Sequence, residues 1–287
     1  MFWLHALPSA NPVQMNLILI RVNLLHIRRT ASIQLSVLRL SQVLLLALSA
    51  AACASPLANR HDWPSVPPVS LTPPPKPPII VVGFVGGVVK HDNPIRSEVI
   101  LAEHLRAEYP SGVYVETFEN RRREKALRAI LTQLGADRSG LLSENEKRQA
   151  RIILYGHSWG GSAMVELARE LDKRGIRILL TVQVDSVRRF GVDDSVIPPN
   201  VARAANFYQP NGMIRGREEI RAADPAKTQI LGNFRYDYKE KPIHCTEGYP
   251  WYDRTFANSH TEIECDPAVW SRVEALIRQQ IAPATTK

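Results

Sequence analysis

The segment from Arg151 to Lys173 leaves this chain little freedom. The apolar run Ile152-Ile153-Leu154-Tyr155 meets Gly156-His157-Ser158-Trp159-Gly160-Gly161 and passes at once into a helical pattern, Ser162 to Lys173. The apolar run suits a strand buried on both faces, and the pattern after it suits a helix. Only a sharp turn can join them. Glycines at 156 and 160 are what such a turn requires, because a Cβ at either place would collide with neighbouring chain. The turn would expose the Ser158 hydroxyl and aim the unpaired amides of a helix N-terminus at negative charge forming beside it.

Other β-branched runs recur: Ile79 to Gly83, Val113 to Phe118, Ile176 to Val184, Ala204 to Tyr208 and Ile230 to Tyr236. Helical patterns separate several of them, at Glu98 to Tyr109, Glu124 to Leu134 and, last, Pro267 to Ile281. This alternation predicts an α/β fold, with a mostly parallel central sheet and helices on both faces. No second linker interrupts it, so residues 79–287 read as one domain.

The strand, turn and helix around Gly156-x-Ser158-x-Gly160 resemble the α/β-hydrolase superfamily, in particular its lipase-, esterase- and thioesterase-like members. The resemblance covers about residues 79–281 and is sharpest at Tyr155 to Gly161. It implies that Ser158 is a nucleophile and that the amide of Trp159 is one donor to an oxyanion. A second donor is expected from the loop after the first strand, Gly83-Phe84-Val85-Gly86-Gly87, with Phe84 or Val85 supplying the amide. A glycine-rich turn with no such role is the plainer alternative. A nucleotide-binding loop is disfavoured because no Gly-Lys-Ser/Thr follows.

A serine hydroxyl needs a base, and the order implied by the resemblance is Ser, then acid, then His. Two histidines follow Ser158. His260 stands in an expected loop just before Asp266-Pro267, which reads as the cap and first turn of the last helix. His244 is its competitor. For the acid, the run ending at Val184 delivers Asp185 to the sheet edge where parallel sheets place chemistry. Asp193, Asp194 and Asp237 are alternatives that turn or surface roles also explain.

Cys245 and Cys265 flank His260 and would pair in an oxidising compartment, with two separate thiols as the alternative. No metal site is expected from them. Gly135 to Glu146 has the spacing of a calcium loop, with Asp137, Ser139, Ser143 and Glu146 at ligand positions. Gly135, however, stands where the first Asp is required. Ser143-x-x-Glu146 is also a complete capping box for a following helix.

Residues 1–53 contain no Asp or Glu, and Arg21, Arg28, Arg29 and Arg39 supply all their charge. Basic residues, then the apolar run Val43 to Ala54, then small residues make an export signal or anchor. That run is shorter than the roughly 20 residues a spanning helix needs. Lipidation at Cys53, cleavage near Ala52 and an uncleaved anchor all stay open. Residues 54–78 form a Pro-rich, stiff linker. The leader's arginines removed, 32 basic side chains face 28 acidic ones. So mild an excess gives nucleic-acid binding no support.

These readings combine into an exported serine hydrolase of the bacterial periplasm or cell envelope, using no cofactor. Its partners would be an ester or thioester, a small molecule or a lipid, and a membrane through the N-terminal segment. The alternative is a non-catalytic envelope protein using the same fold as a binding module.

Overall fold

The computed structural model describes residues 78–136, 139–245, 248–250 and 258–282. The leader, Cys53 and most of the Pro-rich linker lie outside that set, as do Asp137, Trp251 and Tyr252.

Strand β1 (Ile79–Val85) lies between β2 (Val113–Glu119) and β3 (Ile152–His157), and β4 (Ile178–Val184), β6 (Val201–Tyr208) and β8 (Gln229–Arg235) extend the sheet. The order is β2-β1-β3-β4-β6-β8, and every pair is parallel. The two-residue strands β5 (Val196–Ile197) and β7 (Arg221–Ala222) pair separately. Parallel neighbours need crossovers, and helices provide the first three. They are α1 (Ser97–Glu108), then α2 (Arg123–Gln133) with α3 (Glu144–Gln149), then α4 (Trp159–Lys173); α5 (Asn258–Cys265) and α6 (Pro267–Ile281) follow β8.

Alternation along β1 divides the core. Ile80, Val82 and Phe84 pack with α2 and α4 through Ile130, Met164, Leu167 and Leu171. Ile79 and Val81 face α1 and α6 through Leu105, Val273 and Ile277. Each strand side chain thus meets a helix on one face or the other, which is why β1 and β3 carry unbroken apolar runs. Tyr155 and Phe84 are fully buried in this core.

Two local expectations meet different outcomes. Asp266 does cap α6: its side chain accepts from the Ala268 amide at 2.8 Å, with Pro267 in the first turn. His260 does not sit in a loop but in the short helix α5. The polar string Asn-Ser-His-Thr-Glu-Ile-Glu-Cys looks solvated, yet Ser259 to Glu264 are all buried. Tertiary packing, not an apolar stripe, holds this helix. Among the described residues no helix is long and apolar enough to cross a membrane.

Candidate active site

Ser158 stands between β3 and α4, at the N-cap of the helix, with φ 54° and ψ −127°. A non-glycine residue there stores about 1–3 kcal/mol, which the surroundings must hold. Its amide donates to Val184 O at 3.0 Å, and its carbonyl accepts from Gly161 N at 3.0 Å and Val187 N at 3.2 Å. The glycines explain themselves by distance. A Cβ on Gly156 would lie 2.6 Å from the Gly160 backbone, and one on Gly160 only 2.1 Å from the Phe84 carbonyl oxygen. The end of β1 therefore packs directly on the first turn of α4.

Asp185 follows β4, also with positive φ, at 41°, and its side chain is fully buried. It accepts from Gln209 N at 3.2 Å, Gln209 Nε2 at 2.8 Å, Gly216 N at 3.0 Å and His260 Nδ1 at 2.6 Å. A carboxylate that only accepts fixes the tautomer: Nδ1 carries the hydrogen, leaving Nε2 to accept. His260 Nε2 lies 2.8 Å from Ser158 Oγ. The three residues singled out in the sequence thus form one hydrogen-bonded chain from a serine to a buried carboxylate.

The competitors are elsewhere. His244 is exposed. Asp194 is buried behind the site, accepting from Ser186 Oγ and Arg217 Nε, each at 2.6 Å. Asp193 bonds Ser195, and Asp237 bonds Asn211 and Arg235. Ser143 and Glu146 form the reciprocal capping box of α3, at 2.6 and 3.3 Å, which accounts for both side chains; Asp137 lies outside the described residues and Ser139 in the loop ahead of the box.

Phe84 and Val85 are the last residues of β1, with buried side chains, and Gly86 begins the wall facing Ser158. A Cβ on Gly86 would stand 3.0 Å from Ser158 Cβ. In front of Ser158 opens a pocket of about 510 Å³ whose apolar lining includes Val88, Val89, Trp159, Val187 and Ile214. Trp159 is 40% exposed there.

Several members of the site were not legible in sequence. Gly216 is one: a Cβ there would lie 2.3 Å from the Asp185 backbone and 2.5 Å from its Oδ1. Gly216→Ala should therefore push the carboxylate away from His260 and broaden the low-field signal of the Nδ1 proton between them. Proton NMR of a folded variant checks this, and an unchanged signal would refute it.

A polar cluster lies beside the serine and histidine, and Arg96, His157 and Glu264 from it also line the pocket. Glu98 and Glu264 are buried, as is His157, whose ring lies 4.6 Å from that of His260 between centroids. Burial pushes the Glu98 carboxyl above the usual carboxylate range. Burial, then the neighbouring Glu98, pushes Glu264 up as well, and Arg96 beside it opposes the rise. Burial holds His157 neutral, well below the usual histidine range. Arg96 Nη1 donates to Glu264 Oε2 at 2.6 Å. None of these was singled out, because buried acids look in sequence like surface ones.

Cys245 and Cys265 form a disulfide spanning 20 residues, and it fastens the last residue of α5.

A six-stranded parallel sheet flanked by helices, with a strained serine on the turn between its third strand in chain order and the next helix, decides the architecture. The fold is that of the α/β-hydrolases. Solved structures similar to this chain include an acetylxylan esterase, at 13% identity over 72% of this chain and 99% of the other, TM-score 0.34. The RedJ thioesterase of Streptomyces coelicolor is 14% identical over 74% of this chain and 98% of its own, TM-score 0.33. The NocB thioesterase domain is 12% identical over 71% and 94%, TM-score 0.35. No family model and no curated protein matches the sequence.

Proposed function

We propose that this protein is a serine hydrolase that cleaves an ester or thioester through an acyl-enzyme on Ser158. The observation that carries the reading is the continuous chain Ser158 Oγ, His260 Nε2, His260 Nδ1, Asp185 Oδ2, at 2.8 and 2.6 Å. In this mechanism Ser158 Oγ attacks the substrate carbonyl while His260 Nε2 takes its proton. Asp185 keeps the imidazole oriented and stabilises its charged form. The oxyanion is held by the amide of Trp159 and by a second amide where the chain leaves β1; Phe84 and Val85, expected from the sequence to give it, lie within the strand, and Gly86 is the first residue on the pocket wall. His260 then protonates the leaving alcohol or thiol. Water, activated by the same imidazole, releases the acid and restores Ser158.

The apolar lining of the pocket favours an acyl group over a charged one. Fold alone does not select a substrate, so the reading rests on the site. The disulfide is compatible with an oxidising compartment. Export directed by residues 1–53, with Cys53 as a candidate lipid attachment site, belongs to the same proposal.

A fluorophosphonate probe tests it. Wild-type protein should be labelled once, with the adduct on the peptide containing Ser158, and Ser158→Ala should take no label. Labelling of Ser158→Ala at the wild-type rate would end the proposal.

A further inference from the structure

The cluster beside the triad supplies no atom to the mechanism above, yet it touches each part that must stay in register. Glu98 Oε1 accepts from the amide of Gly86, at 3.2 Å, holding the wall that faces Ser158. His157 immediately precedes Ser158, and its ring lies against His260. Glu264 is four residues beyond His260 on α5, so the two share a helix face. The guanidinium of Arg96, which reaches Glu264, lies 4.7 Å from the Tyr249 ring centroid; Arg96 directly precedes α1. The Arg96 and Glu264 side chains are only 9% and 3% exposed.

Resting on the serine-hydrolase reading, we propose that Arg96 and Glu264 are positioning residues for His260: their buried ion pair locks α5 to the segment before α1, so that the imidazole stays on Ser158. Three features make the pair suited to this. It joins positions 168 apart in sequence, so it ties together parts of the chain that no local hydrogen bond could. It acts on the face of α5 that carries the imidazole, whereas the disulfide fastens only the helix's last residue. A guanidinium facing a carboxylate is also directional, fixing rotation as well as distance.

Glu98, His157 and Glu264 offer ligand atoms within 4.8 Å of one another, an arrangement that can also hold a cation. Here Arg96 already supplies the positive charge that the carboxylates require. The two acids next to one guanidinium explain why burial leaves them reluctant to ionise together.

The test uses the full chain and p-nitrophenyl butyrate, comparing Arg96→Met, Arg96→Lys, Glu264→Gln and Ser158→Ala with wild type. Arg96→Met should lower kcat about tenfold through the misplaced base; because Arg96 also lines the pocket in front of Ser158, a rise in KM with kcat unchanged would count against the positioning role. Arg96→Lys should recover most of the loss, and Glu264→Gln should resemble Arg96→Met. The low-field proton signal of His260 Nδ1–H on Asp185 should broaden in Arg96→Met and return in Arg96→Lys. If Arg96→Met does not fold, Glu264→Gln, which keeps the side-chain shape, decides alone. Folded Arg96→Met and Glu264→Gln variants with kcat within about twofold of wild type overturn the positioning role. In that case an inactive Ser158→Ala leaves the triad reading standing, whereas an active Ser158→Ala removes both. A stoichiometric divalent ion in the purified protein, lost in Glu264→Gln, would also overturn the role assigned to Arg96.

Discussion

Replacing His260 with alanine should lower ester turnover about 10⁴-fold, as deeply as Ser158→Ala does, while His244→Ala should stay within about twofold of wild type. The reason is geometric. His260 Nε2 is 2.8 Å from Ser158 Oγ, and His244 is exposed elsewhere. A hydroxyl without a base is almost wholly protonated at neutral pH, so losing either member of the pair removes the same step. Asp185→Asn should lose less, because the imidazole remains but can turn over to the wrong tautomer. Steady-state rates for the four variants, with circular dichroism as a check on folding, decide the matter. An active His260→Ala beside a dead His244→Ala would show that the base has been misassigned.

Reduction of the disulfide between Cys245 and Cys265 should cost about a hundredfold in turnover before it costs the fold. Closing a loop of 20 residues is worth about 3 kcal/mol by chain entropy, less than the whole stability of a domain this size. The sheet and the serine turn are built from strands that all precede Cys245 in the chain. The bridge instead fastens α5, and a displacement of about 1 Å at a base is enough for the loss expected. Thiol counts, turnover and circular dichroism before and after reductant would be compared on one preparation. Full activity with both thiols free would dispose of this link between redox state and catalysis.

What could be read from the sequence was whatever rests on neighbouring residues. The turn at Ser158 was legible because its apolar strand, its glycines and its helix are contiguous, and the steric reason for Gly156 and Gly160 is local. Asp185 was legible from its place at the end of a β-branched run. His260 was found by order along the chain, but its helix was not, since Glu262 and Glu264 carry no sign that they will be buried. Their burial depends on partners from far away: Ile243 N for Glu262, at 3.1 Å, and Arg96 for Glu264. Gly216 was invisible for the same reason, its need for a bare Cα arising only where it meets Asp185. Strand ends shifted by one to three residues; at the end of β3, for example, ladder pairing continues to His157, opposite Val184, past the last apolar side chain.

The backbone of Ser158 is hydrogen-bonded to Val184 on one side and Val187 on the other, the residues that bracket Asp185. Ser158 and Asp185 therefore belong to one hydrogen-bonded frame, while His260 arrives on a separate arm. Sliding or twisting of the sheet carries the first two along together. Motion of the arm alone is then enough to make or break the chain of hydrogen bonds, so opening and closing of this centre needs a single moving part.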